Sequence, residues 1–358
     1  MSGAAWTAEA DPGVSFQVSQ IARDSMKTDV EHPAKLNGVY LSERTIPVPK
    51  SISPEAQAAL AAARPRRPPA PPISDKAAWR AYVAETNAGF TAMMKSATAA
   101  LPAHSALTDI AGVPVYVGEP DAMPAANRDK ALIHIHGGAL VLLGGEPVGH
   151  FAITEAATMR CKVFAIDYRN PPDHPYPAAL DDCVAVYREL LKTYPADKIA
   201  ISGVSGGGNL AAAMTLKIRE NGIKPPSAIG LFSPEVDLTE SGDTFQTNRD
   251  IDVVLRGSLA DTNALYAGGH DLADPYVSPL FGDFSKGFPP TFIQSGTRDL
   301  FLSNSVRIHR RLRDAGIDAE LHVWEALPHA FFGGAPEDRE LHVEFTRFLA
   351  RVAGWASP

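Results

Sequence analysis

Six short β-rich runs recur after residue 105, at 131–136 (ALIHIH), 162–168 (KVFAIDY), 198–203 (KIAISG), 228–233 (AIGLFS), 290–296 (PTFIQSG) and 319–324 (AELHVW). Stretches of helical length and period separate most of them, including those that begin near Pro177, Ser205, Ser303 and Glu337. A strand followed by a crossover helix and a second strand runs parallel to that second strand, because the helix carries the chain back to the starting end. Strands apolar on both faces are covered by helices on both sides. The alternation therefore predicts an α/β fold with a mostly parallel central sheet flanked by helices. With 358 residues, 45% of them hydrophobic, the chain is long enough to bury such a core.

The rhythm fails in two places. Before residue 105 the texture is Pro- and Ala-rich: Ser53 stands as N-cap with Pro54 at the first helical position, and Ser74 is expected to cap a second helix running towards Ala100. Between them ARPRRPPAPPIS (63–74) permits only extended or polyproline-like backbone. From 238 to 271 the sequence is polar and has no clear strand. These boundaries predict an N-terminal helical arm (1–104), an α/β domain in two pieces (105–237 and 272–358) and an inserted cap segment (238–271). Arm and insert together are expected to cap the C-terminal edge of the sheet, where open α/β folds bind ligands.

Charge and cysteine usage narrow the partners. Thirty-three Lys+Arg against 41 Asp+Glu give a net charge of -8, and the one basic cluster is RPRRP at 64–68, so nucleic acid is not expected. The N-terminus lacks a cationic segment followed by an apolar one, and no apolar run reaches membrane-spanning length. Membrane insertion is not expected, and a cytoplasmic location is the default. Cys161 and Cys183 fit neither a disulfide framework nor a metal knuckle and are expected to be packed core thiols.

The stretch ISGVSGGGNLAAA (201–213) reads as strand, glycine turn and helix. Two chemistries claim such a turn. From Gly206 it fits G-x-G-x-x-A, a dinucleotide fingerprint for which Glu235 stands near the ribose-binding position. In that fold, however, the first glycine follows the strand almost at once, whereas Gly206 lies several residues beyond Ile201. From Gly203 it fits G-x-S-x-G, with Ser205 as a nucleophile on a strained elbow.

A nucleophilic serine needs a histidine base, a carboxylate to orient it and donors for the oxyanion. On an open α/β sheet these arrive in the order Ser, acid, His, each just after a strand. Asp299 follows PTFIQSGTR and His329 follows AELHVWEALP. Alone, each has an ordinary role, a helix cap for the aspartate and a packed or surface residue for the histidine; their joint order favours the catalytic one. The glycine turn of HIHGGAL (134–140) offers backbone N–H groups after another strand, and Gly206 N–H directly follows the nucleophile. A rival reading takes His134 and His136, two apart on one strand face, as metal ligands. That reading lacks further ligands and leaves the glycines unexplained.

With HGGA at 136–139, DYRNPPDHPYPAA at 167–179, GVSGG at 203–207, DPYVSPL at 274–280 and the Asp299 and His329 segments in that order, the chain resembles the hormone-sensitive lipase family of α/β-hydrolases over about residues 105 to 355. The arm resembles it more loosely, through RTIPVPKSISPEAQ at 44–57. The resemblance implies an α/β-hydrolase fold with a helical cap, Ser205 as nucleophile, Asp299 as acid and His329 as base. It implies oxyanion donors at Gly138, Ala139 and Gly206, with His136, Gly137, Gly203 and Gly207 in support. Val204, Tyr40, Phe90 and Leu255 would line the acyl or alcohol pocket.

The expected activity is serine carboxylic-ester hydrolysis on short to medium acyl chains, with no metal or organic cofactor and a small-molecule ester as partner. Acyl transfer or lactone opening by the same triad is the chemical neighbour, and a non-catalytic receptor on the same fold is a more distant one. Family resemblance also implies a homodimer through the sheet's edge strand or last helix. The chain departs from the family pattern where HGGG reads HGGA, where the elbow carries Val204 and Gly206 in place of the usual Asp and Ala, and where Ser303 replaces the second acidic residue of the Asp299 motif.

Overall fold

The six apolar runs all form strands: β3 (Ala131–Ile135), β4 (Lys162–Ile166), β5 (Ile199–Val204), β6 (Ala228–Phe232), β7 (Thr291–Gly296) and β8 (Ala319–Trp324). In this computed structural model, which describes residue 38 and residues 43–62 and 69–357, these strands pair in parallel. Two further strands, β1 (Ala103–Ile110) and β2 (Val113–Pro120), form an antiparallel hairpin that pairs with β4. The resulting eight-stranded sheet has the order β1-β2-β4-β3-β5-β6-β7-β8. The hairpin is an addition to the sequence expectation.

The central strands β3, β5 and β6 are almost wholly buried because helices cover both faces. On one side α4 (Ala178–Leu190) and α5 (Gly206–Glu220) enclose a core containing Ile133, Ile201, Leu210 and Tyr187. On the other, α3 (Glu146–Met159) and α9 (Pro336–Ala353) enclose Leu132, Phe292, Phe345 and Trp355. Helix α8 (Leu302–Asp314) completes the β7–β8 crossover and sends Ile308 and Leu312 into the first core. Cys161 and Cys183 are free and buried in these cores.

Ahead of the sheet stand α1 (Pro54–Ala61) and α2 (Lys76–Thr98). Ser53 caps α1, its Oγ accepting from Ala56 N–H, and it ties that helix to α9 by donating its own N–H and Oγ–H to Glu337, both at 2.7 Å. The cap of α2 is Asp75, whose carboxylate accepts from Ala78 N–H, in place of the expected Ser74. Trp79 of α2 is fully buried against Val141, Leu142 and Leu265, so this helix packs onto the loop after β3. The insert carries the short helices α6 (Thr244–Thr247) and α7 (Ala260–Ala267) and no strand. Among the described residues no helix is long and apolar enough to cross a membrane.

Candidate active site

Parallel strands end at the same edge, so the residues just after β3, β5, β7 and β8 gather there without being neighbours in sequence. Ser205 occupies the turn between β5 and α5 with φ 58° and ψ -123°. A non-glycine residue adopts this conformation only under constraint from its surroundings. The constraint is steric. A methyl on Gly203 would stand 2.2 Å from Gly207 O, and one on Gly207 would stand 2.0 Å from Ile135 O. The turn is also pinned to the sheet, since Ser205 N–H donates to Phe232 O at 2.9 Å and Glu235 N–H donates to Ser205 O at 3.1 Å.

The loop after β3 packs directly on this elbow. A methyl on Gly137 would lie 3.3 Å from Ser205 Cβ. Beyond it the backbone turns through left-handed conformations at Gly138 (φ 116°), Ala139 (φ 51°) and Leu140 (φ 62°). Within the described residues the N–H groups of Gly138, Ala139 and Gly206 donate to nothing in the protein. Amides inside a fold are normally paired, so these three unpaired ones, on the elbow and on the loop packed against it, are available to an anionic oxygen. Gly206 also opens α5, whose N-terminal dipole favours negative charge.

His136 holds this loop from behind. Its ring lies between Tyr168, with centroids 4.1 Å apart, and Phe151, and its Nδ1 sits 2.7 Å from Gly137 O. A carbonyl can only accept, so Nδ1 carries the proton. Burial pushes the imidazole down to about 3, which keeps it neutral. Tyr168 O–H donates to His136 O at 2.9 Å, and Asp167 accepts from Gly145 N–H at 2.8 Å. Helix α2 adds a two-point hold: Asn87 accepts from Leu143 N–H at 2.8 Å and donates to Gly144 O at 3.0 Å.

Asp299 and His329 meet at the ends of β7 and β8, with His329 Nδ1 3.1 Å from Asp299 Oδ1. Both are buried. Burial alone would push the Asp299 carboxyl up, but His329 and the Phe301 N–H on Oδ1, with the Ser295 hydroxyl on Oδ2, outweigh it and hold it below the usual carboxylate range. The His329 loop reaches towards the elbow through Ala330 N–H, which donates to Ser233 Oγ just after β6.

Sequence reasoning missed Asp252. It belongs to the insert, is fully buried, and offers ligand atoms within 4.8 Å of those of Asp299 and His329. The trio has the composition of a metal cluster, yet the Asp252 oxygens already accept four backbone N–H groups and the Asp299 oxygens are engaged as above. Asp252 therefore has no lone pair left to offer an ion. A backbone acceptor of this sort has no motif by which sequence could reveal it.

The other predicted residues are placed as follows. Val204 ends β5, half-buried beside the Phe232 cluster. Phe90 of α2 rests on Phe151 at 5.5 Å, one ring removed from His136. Leu255 is buried with Phe245, Leu300 and Phe301, next to Asp299 in the chain. Tyr40 lies outside the described residues.

The rival sites fare differently. His134 offers one nitrogen, Nδ1, both to Ser202 Oγ (3.0 Å) and to Glu155 Oε1 (3.8 Å). A proton relay needs the two ring nitrogens to face different groups, so this buried set is a core contact. Glu235 is fully buried beneath the elbow and cannot reach a ribose. A cavity of about 450 Å³ lined by Arg219, Lys224, Phe288 and Pro290 opens at the opposite end of the strands, away from Ser205.

Residues 132–333 match the family described as alpha/beta hydrolase fold. An esterase from Acinetobacter venetianus is 34% identical over 211 residues, which cover 58% of this chain and 69% of that protein. An acetyl-hydrolase from Streptomyces hygroscopicus is 31% identical over 58% of this chain and 70% of its own. Among solved structures, an esterase called E25 superposes with a TM-score of 0.81 at 37% identity, covering 89% of this chain and 100% of that one. An esterase from the bacterial hormone-sensitive lipase family does so with a TM-score of 0.73 at 28% identity, over 84% of this chain and 99% of that one.

Proposed function

Because this chain belongs to the alpha/beta hydrolase fold family, in its bacterial hormone-sensitive lipase branch, we propose that it is a carboxylesterase that works through an acyl-enzyme on Ser205. The observation that carries this reading is the 3.1 Å contact of His329 Nδ1 with buried Asp299, at the same sheet edge as the strained Ser205. With Nδ1 donating to the carboxylate, the lone pair of Nε2 is the basic site. His329 takes the Ser205 proton as Oγ attacks the ester carbonyl, and the free N–H groups of Gly138, Ala139 and Gly206 stabilise the oxyanion. The protonated histidine then gives its proton to the departing alcohol, and water, deprotonated in turn, releases the acid from Ser205.

Short to medium acyl chains fit the packing. Three large apolar residues of helix α2, Trp79, Tyr82 and Val83, pack on Val141, Leu142 and Leu265, and so are not free to line a long acyl channel. A series of p-nitrophenyl esters from acetate to palmitate tests the reading. The expected result is turnover greatest at the shorter chains and abolished in Ser205→Ala. Turnover that survives in Ser205→Ala would sink the mechanism, and a preference for palmitate would sink the chain-length assignment.

A further inference from the structure

A catalytic histidine and its carboxylate that sit on two separate loops keep their geometry only if the loops are fixed relative to each other. The strands end at Gly296 and Trp324, and beyond them Thr297 N–H on Trp324 O, Arg298 N–H on Leu327 O and Ala326 N–H on Thr297 Oγ1 join the two loops directly; these bonds stop short of Asp299 and His329, which need another support. One turn of the insert supplies it. Asn248 Nδ2 donates to the carbonyls of Thr297 (3.2 Å) and Asp299 (2.8 Å). Four residues on, Asp252 Oδ2 accepts from the amides of Leu300 (2.9 Å) and His329 (3.1 Å). The turn is itself braced: Asp252 N–H donates to Asn248 O, and Asp252 Oδ1 accepts from the amides of Val254 and Leu255.

We propose that Asn248 and Asp252 form one positioning clamp, through which the cap insert fixes the Asp299 loop against the His329 loop and places a second negative charge beside the histidine. Three features support it. Asp252 is fully buried and Asn248 nearly so, which makes their bonds hard to replace with water. Both oxygens of Asp252 face N–H donors, which favour the ionised carboxylate because a protonated one would lose acceptors, against burial and the nearby Asp299 charge, which push its carboxyl up. The clamp also has a neighbour of the same kind, since Thr244 and Ser303 exchange bonds through their amides and hydroxyls, at 3.0 and 2.9 Å. Ser303 thereby has a structural task where relatives carry an acid. The clustered titratable groups are Asp252 from the insert, Asp299 from the loop after β7 and His329 from the loop after β8.

The inference rests on the triad reading above, and its test separates the two. In the parent, labelling of Ser205 by a fluorophosphonate probe checks the triad reading and counts the active sites; absence of labelling would reject that reading itself. Asp252→Asn keeps the shape but turns an NH2 towards two of the four amides and removes the charge. Per labelled site, kcat is expected to fall about 10- to 100-fold with KM little changed, as for a small misplacement of reacting groups. The acid limb of kcat/KM is expected to move to lower pH, because the variant removes an anion from beside the base. Asn248→Ala is expected to lower kcat per site without moving the acid limb. A purely structural role would reduce the number of labelled sites and leave both readouts of the survivors at parental values, and that outcome overturns the proposal. If Asp252→Asn does not accumulate folded, Asn248→Ala decides: a parental kcat per site rejects the clamp, and a fall at constant KM supports it.

Discussion

The backbone nitrogen of Leu140 stands 2.8 Å from where a methyl group on Gly206 would lie. The family pattern has alanine at that elbow position, and here the loop after β3 stands too close to admit its methyl group. The same loop carries Ala139 at φ 51° where the family has glycine. Gly206→Ala is expected to push the Leu140 segment away from the elbow and to lower kcat by about 10-fold or more, short of the 10²–10³ that loss of a whole donor costs. Kinetics on a p-nitrophenyl ester check this, and an unchanged kcat would mean that the loop yields without moving its amides.

Asn87 copies the pairing of a strand edge, taking one N–H and one C=O of the oxyanion loop from a helix outside the sheet. Asn87→Ala leaves both groups unpaired, at a cost of about 1–3 kcal/mol if they stay dry. Since Leu143 holds φ 70°, the released loop is expected to relax. The expected outcome is a kcat lowered about 10-fold with Ser205 still reactive towards a fluorophosphonate. A parental kcat would show that His136 and Tyr168 hold the loop without help.

How much of this was legible in the sequence depends on whether a residue acts through a steric or spacing rule. Gly203 and Gly207 were legible because no other residue fits at 2.2 and 2.0 Å from backbone oxygens. Asp299 and His329 were legible because the strand ends determine where they appear. The β1–β2 hairpin was not, since its outer strand is largely exposed and AHSALTDI lacks the apolar density of the buried strands. Asn87, Asn248 and Asp252 were not, because they bind main-chain groups that any sequence possesses; only the folded path shows which amides lie within their reach.

Glu235 is fully buried, and among the described residues no donor is within hydrogen-bond geometry of either carboxylate oxygen. Burial, reinforced by the charge of Glu240 and only partly offset by the Asn263 amide, pushes its carboxyl from 4.5 up to about 8. The folded protein therefore binds a proton that the unfolded chain releases above pH 4.5. Stability from this group is fully present below 4.5, falls as pH rises towards about 8, and is level beyond. Glu235→Gln keeps the neutral form at every pH. Its advantage over the parent in urea denaturation is expected to grow from about pH 5 to pH 8 and then hold; an advantage independent of pH would contradict the protonated state.

Ser205 holds a strained backbone conformation at the elbow. At φ 58° and ψ -123° a side chain costs on the order of 1–3 kcal/mol, whereas glycine adopts positive φ freely. Glycine also loses more chain entropy on folding, about 0.5–1 kcal/mol relative to alanine. The strain is the larger quantity, so Ser205→Gly is expected to be more stable than Ser205→Ala by about 1 kcal/mol, while both lack esterase activity. Alanine is the proper reference because it loses the same Oγ yet keeps a Cβ in the strained position. Urea midpoints of the two variants decide the matter, and a glycine variant no more stable than the alanine one would mean that the elbow holds the nucleophile without strain.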